Sequence, residues 1–174
     1  MSISPRVLIN TKLPLTLFIR GKVRDTYDLG NRLLIVATDR ISAFDSVLPC
    51  GIPDKGLVLN QLSIFWMKKT VNLVPSHLVE AVDDVHRLDS YLPAESRFHY
   101  PSYLAGRSMI VKKAKRLPIE CVVRGYLSGS GWAEYEQYGA ISGLPLPKGL
   151  KESQELPSHY LPRPLRQKPG MTSP

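Results

Sequence analysis

The chain has 174 residues, with 23 Lys+Arg against 15 Asp+Glu for a formal charge of +8, and 43% of its residues are hydrophobic. That composition excludes a disordered tail, a collagen-like fibre and a disulfide-stapled miniprotein; a chain of this size buries about two thirds of its extended-chain surface, enough for one core or two small lobes. The charge suggests an acidic partner, but Arg163, Arg166 and Lys168 in the acid-free last seventeen residues supply +3 of the +8, and the other +5 is scattered among acids.

In chain order, residues 16–39 read as a β-hairpin, two β-rich runs joined by Asp28-Leu29-Gly30-Asn31, whose Gly and Asn suit a tight reversal. Gly21-Lys22-Val23-Arg24 falls in its first strand, and Leu33 to Ala37 is a continuous apolar run suited to a strand buried on both faces. A polar loop, ATDRISAFDSV, follows, then a turn at Ile52-Pro53-Asp54-Lys55-Gly56. Val58, Leu62, Phe65, Trp66 and Lys69 recur at intervals of three and four, which predicts an amphipathic helix over 57–70. Residues 83–106, with Pro93 and Pro101, read as a long surface loop; 108–113 and 119–126 read as strands, and the Ser128-Gly129-Ser130-Gly131 turn leads into a short helix over 132–138. From Ser158 onward four of seventeen residues are proline and no helical or strand period survives.

Cys50 and Cys121 lack C-x-x-C spacing and read as small buried hydrophobes in a reduced, cytoplasmic setting. The N-terminus has no basic stretch followed by an apolar run, and no segment reaches the ~20 apolar residues of a membrane span. Only the charge favours a nucleic-acid partner, because aromatic residues are poorly interleaved with the cations.

Three stretches carry chemistry. In Gly21-Lys22-Val23-Arg24, alternation along a strand puts Lys22 and Arg24 on one face, where they could meet a polyphosphate; taken alone, a solvated strand face is the simpler explanation. Thr38-Asp39-Arg40-Ile41-Ser42-Ala43-Phe44-Asp45 gathers carboxylates and hydroxyls at a strand end, as a binding loop does, or as turn chemistry does. In Leu117-Pro118-Ile119-Glu120-Cys121-Val122-Val123-Arg124-Gly125-Tyr126-Leu127-Ser128-Gly129-Ser130, Glu120 and Arg124 share strand parity in an apolar run. Burying them costs several kcal/mol unless they are paired or bound to a ligand. The strand ends in Ser-Gly-Ser before a helix, an anion site by its free N–H groups; a structural ion pair with an ordinary cap is the alternative.

The order GKVRD, ATDRISAFD, IPDKG, LPIECVVRGYLSGSGW and LPKGLKESQELP resembles the phosphoribosylaminoimidazole-succinocarboxamide synthase (SAICAR synthetase) family in its longer form, continuously over about residues 14–157. Ser128 departs from the Thr or Ala more usual before Gly129. The resemblance implies an α+β fold of the SAICAR synthase-like, ATP-grasp-like kind, with a kinase-like N-terminal antiparallel β lobe and the start of a second α+β lobe. Expected domains are 1–116, an ATP-binding small lobe, 117–157, the incomplete large lobe, and 158–174, an aberrant tail.

The implied activity is an ATP-dependent carbon–nitrogen ligase of purine biosynthesis, joining L-aspartate to carboxyaminoimidazole ribonucleotide through an acyl phosphate. By resemblance, Gly21, Lys22 and Arg24 contact ATP phosphates, Val111 and Lys112 form the adenine-side strand, and Arg124 and Ser130 hold the ribonucleotide at the catalytic centre. Asp39, Ser42 and Asp45 line a substrate-facing loop, and Glu120 stands beside them as substrate-binding. Lys148 to Gln154 match a motif of the longer form with no role assigned. The family's acidic Asp-x-Lys-x-Glu segment, which binds Mg2+, has no counterpart here, so this polypeptide is expected to be inactive. The tail fits a frameshift shortly after Leu156: read two bases on, the codons for Met171-Thr172 force the Asp of a family-like Gly-His-Asp.

Overall fold

The computed structural model describes residues 7–44, 46–115, 119–121, 124–156 and 165–167. The chain divides into two compact units, Met1–Ala114 and Lys115–Pro174, against an expected division after residue 116.

The first unit is built on β1 (Leu17–Arg20), β2 (Arg24–Asp28), β3 (Arg32–Ala37), β6 (Leu78–Val82) and β7 (Ser108–Lys112), in the sheet order β1-β2-β3-β7-β6, antiparallel throughout. The apolar run of β3 takes the central place, with Leu34 opposite both Tyr27 and Ile110. The reversal at 28–31 forms as predicted: Gly30 takes a positive φ of 83° and its N–H donates to Asp28 Oδ1 at 2.8 Å. One sheet face buries Tyr27, Leu34, Val36, Val82 and Ile110 against Leu88, Leu92, Tyr100 and Leu104. These last four come from residues 83–106, which the sequence presents as a surface loop. The segment is irregular, with short 3-10 helices at Val85–Ser90, Ala94–Ser96 and Ser102–Leu104, yet it supplies half of a core. Its apolar residues follow no regular period because its backbone follows none.

The other face carries Leu33, Ile35, Met109 and Val111, and α1 (Lys55–Lys69) packs there through Ile64 and Met67. A Cβ on Gly56 would stand 2.5 Å from the Ala37 carbonyl oxygen, so only glycine lets the helix start this close to the backbone after β3. Asn60 donates to the carbonyls of Gly106 and Ser108 at 2.9 and 3.3 Å, fixing the helix to the start of β7. The helix is therefore seated by Gly56, Asn60 and Ile64, while Val58, Leu62, Phe65 and Trp66 are exposed. The three-and-four spacing predicts the helix correctly and marks the face that the first unit leaves exposed.

The loop expected after Asp39 is instead a two-stranded ribbon, β4 (Arg40–Ala43) with β5 (Ser46–Gly51). Most of its side chains are exposed, including Cys50, which is free and not the buried hydrophobe expected.

In the second unit, β8 (Ile119–Cys121) pairs with β11 (Leu165–Gln167), and β9 (Ala140–Ile141) with β10 (Leu144–Pro145). A strand thus forms within the tail for which none was expected; three residues between prolines are too short to display a period. α2 (Ser130–Tyr138) agrees with the predicted short helix, and its Tyr135 joins Leu127, Ile141, Leu146 and Leu156 in a small core. No helix among the described residues is long and apolar enough to cross a membrane.

Candidate functional site

In the first unit Gly21-Lys22-Val23-Arg24 does not run along a strand. Only Arg24 lies in β2; the Gly21 N–H donates to the Arg24 carbonyl at 2.8 Å and closes the β1–β2 hairpin over Lys22 and Val23. Alternation therefore cannot place Lys22 beside Arg24. The turn's carbonyls are all held from behind. Arg40 donates from Nη2 to Gly21 O at 2.9 Å and from Nε to Lys22 O at 3.1 Å, and Thr38 donates from N–H and hydroxyl to Val23 O at 3.0 and 2.9 Å. With its carbonyls turned inward, the loop leaves Lys22 and Arg24 exposed on its outer side.

Arg40 can brace the turn because Asp25 anchors it. The Asp25 carboxylate is fully buried and accepts from Arg40 Nη2 at 2.6 Å, Arg20 Nε at 3.2 Å and the Thr11 hydroxyl at 2.7 Å. Burial alone would raise this carboxyl, but hydrogen bonds from Arg40 and Thr11 and the Arg40 charge outweigh it and hold it below the usual aspartate value. Neither residue stood out in the sequence as part of the Gly-Lys-Val-Arg turn. The only available signal was an Arg amid a polar loop, which does not say where its side chain goes.

Asp39 and Ser42 are not brought together as a substrate-facing loop. Asp39 is buried, and accepts from Arg107 Nη1 and the Gly56 N–H, both at 2.9 Å, and from the Leu8 N–H at 2.8 Å. Its desolvation, which would raise the carboxyl, is outweighed by these bonds, so it too sits below the usual value. This corrects the expectation for Asp39: its acceptors are spent inside the fold, tying the chain before β1, the start of α1 and the residue before β7 into one joint. Ser42 is exposed on the ribbon, and Asp45 lies outside the described residues. Val111 lies in β7 with its side chain in the core beside Ile64 and Met109, which leaves its backbone as the part that an adenine-side strand would present. Lys112 is exposed at the end of β7.

In the second unit Glu120 lies in β8, opposite Arg166, but residues 122–123, which would test its shared parity with Arg124, lie outside the described residues. Arg124 itself is outside the strand. Its Nη2 donates to Ser130 Oγ at 2.8 Å, at the first residue of α2. Gly129 precedes the helix at φ 56° and ψ −132°, a conformation open to glycine, and offers no side-chain cap. A Cβ on Gly131 would come within 3.3 Å of Arg124 Cδ and Nε, so glycine there lets the guanidinium lie across the helix start. Ser130 accepts from Arg124 and keeps its own proton to donate. A guanidinium, a free hydroxyl proton and the positive end of a helix dipole thus converge, an arrangement that binds an anion.

The long-form motif at 148–154 supports this loop. Leu127 N–H donates to Gln154 O at 2.8 Å, Ser153 N–H to Leu127 O at 2.7 Å and Leu156 N–H to Gly125 O at 2.8 Å. Tyr135 holds the strap to α2 by donating to Pro147 O at 2.6 Å and accepting from Leu150 N–H at 3.1 Å.

Among the described residues no group of three His, Cys, Asp or Glu is gathered to hold a metal. The buried carboxylates of Asp25 and Asp39 are already occupied by arginines, so these residues do not fit a Mg2+ ion.

A profile of the SAICAR synthetase family matches residues 17–167. The phosphoribosylaminoimidazole-succinocarboxamide synthase of Thermodesulfovibrio yellowstonii is 55% identical over 152 residues, 87% of this chain and 50% of that protein. That of Geotalea uraniireducens is 53% identical over 154 residues, 87% of this chain and 49% of that protein. Among solved structures, the SAICAR-synthase from Saccharomyces cerevisiae complexed with SAICAR is 46% identical with a TM-score of 0.75, covering 86% of this chain and 51% of that one. A type-2 SAICAR synthetase in complex with ADP, at 23% identity and a TM-score of 0.54, shares the fold. The chain spans about half the length of the curated relatives it matches. With an α+β architecture, a braced Gly-Lys-Val-Arg turn and an arginine-serine helix start all lying within the matched span, the chain belongs to the SAICAR synthetase family.

Proposed function

We propose that this chain carries the ATP-phosphate and ribonucleotide contacts of a ligase that joins L-aspartate to carboxyaminoimidazole ribonucleotide. The Arg124–Ser130 pair at the start of α2 carries the reading, because guanidinium, hydroxyl and helix dipole together suit a phosphate or carboxylate. Gly21, Lys22 and Arg24 take the phosphates of ATP, with Lys112 on the adenine side; Ser42, Asp45 and Glu120 stand on the substrate side.

In the proposed reaction a carboxylate oxygen of the ribonucleotide attacks the γ-phosphorus and ADP leaves. The aspartate amine then attacks the acyl carbon, the carbon–oxygen bond to phosphate breaks, and the amine gives up a proton. Arg24 and Lys22 neutralise charge on the transferring group, and Arg124 fixes the ribonucleotide. A free, exposed Cys50 is compatible with the reducing cytoplasm that this reading assigns.

Calorimetric titration with carboxyaminoimidazole ribonucleotide tests it. Arg124→Ala is expected to weaken binding at least about tenfold, with Arg124→Lys recovering part of the loss because lysine keeps the charge without the planar fork. Equal affinity in the wild type and Arg124→Ala would remove the assignment.

A further inference from the structure

The face of α1 opposite the core remains to be accounted for. At about 100° per residue, Lys55, Val58, Leu62, Phe65, Trp66 and Lys69 fall on one side of the helix, facing away from Gly56, Asn60 and Ile64, which are buried. Val58, Leu62, Phe65 and Trp66 are each 50–61% exposed, a continuous apolar stripe about two turns long and not the scattered exposure usual on a surface. Phe65 and Trp66 meet edge to face at 5.4 Å, and the Lys69 ammonium lies 5.6 and 5.3 Å from their rings. The stripe is therefore ordered. α1 has Lys55, Lys68 and Lys69 and no carboxylate.

Two observations choose the occupant. The curated relatives are about twice as long as the span matched here, so in each of them a comparable length of polypeptide lies outside that span. The charge then narrows the chemistry: a helix with three cations and no acid repels a second copy of itself in either orientation, antiparallel pairing setting Lys55 against Lys68 and Lys69. We propose that this face of α1 docks the half of the family's polypeptide that these 174 residues do not span, through an apolar segment bearing carboxylates opposite the lysines. The proposal goes beyond the ligand sites and reads out in association, not in ligand binding.

The 174-residue chain is to be co-expressed with the non-overlapping half of the Thermodesulfovibrio yellowstonii relative. Trp66 and Trp132 are the only tryptophans, so a Trp132→Phe background reports on Trp66 alone. A one-to-one complex is expected, with Trp66 emission shifted to the blue and the dissociation constant raised at least tenfold by Leu62→Glu. Val58→Glu serves as a second variant at the most exposed position of the stripe, and circular dichroism confirms that each variant keeps the wild-type fold. Absence of a complex, or a complex indifferent to both variants, overturns the proposal. So does a blue shift that develops with concentration of the chain alone, which would indicate a second copy, or on anionic phospholipid vesicles alone, which would indicate a membrane surface.

Discussion

Arg40→Ala is expected to destabilise the first unit by about 3–5 kcal/mol, the usual consequence of removing one partner of a buried ion pair. Arg40 is only 4% exposed and Asp25 is fully buried, so water cannot replace the lost guanidinium. The substitution leaves Asp25 with Arg20 and Thr11 alone, and strips the inward bonds from Gly21 O and Lys22 O. The effect then reaches function: without its brace, the turn that sets out Lys22 and Arg24 loses its single conformation, and ATP affinity is expected to fall about tenfold, or ~1.4 kcal/mol. Arg40→Lys keeps the charge, but one ammonium cannot reach Asp25, Gly21 O, Lys22 O and Ile9 O together, so most of the loss persists. Urea unfolding and nucleotide titration of both variants measure it. Arg40→Ala with wild-type stability would show the network to be incidental.

Asp39→Ala is expected to cost a similar ~3–5 kcal/mol, because Arg107, 9% exposed, is left without the carboxylate it meets at 2.9 Å. Asp54, 3.8 Å from the other nitrogen and itself largely exposed, is a poor substitute. The pH dependence supplies a sharper signature. Asp25 and Asp39 are both held below their ordinary value in the fold, so they favour the folded state at any pH above the unfolded aspartate range of about 4. That contribution disappears as pH falls through their folded values. Wild-type stability therefore declines in acid below about pH 4, and the decline is shallower in Asp39→Asn, which has lost one of the two groups. Urea midpoints followed from pH 7 down to pH 3 give the comparison; identical slopes would contradict it.

The sequence made regular elements legible and long-range ones illegible. The β3 run, the Asp28-to-Asn31 reversal, α1 and α2 were readable because apolar spacing and turn residues are local signals. Residues 83–106 hid their core role because Leu88, Leu92, Tyr100 and Leu104 point inward from an irregular backbone. The α1 stripe shows the opposite case, a clear period whose face is exposed in the first unit. At the sites, the Arg124–Ser130 pairing could be found from the Ser-Gly-Ser turn that opens a helix. Arg40, Asp25 and Arg107 could not: their partners lie 15 and 68 residues away in the chain, and a charged residue in a polar loop gives no sign that it is buried. For the same reason Asp39 looked like a ligand contact when its environment makes it a joint.

We propose that these residues hold the anionic substrates of the family's reaction and do not by themselves turn them over. One phosphorus NMR spectrum of the 174-residue polypeptide with ATP, carboxyaminoimidazole ribonucleotide and aspartate tests both parts. Shifted or broadened ATP and ribonucleotide resonances are expected, with no ADP or inorganic phosphate accumulating. Unperturbed resonances would contradict the binding sites, and ADP with phosphate growing in over time would contradict the expected lack of turnover.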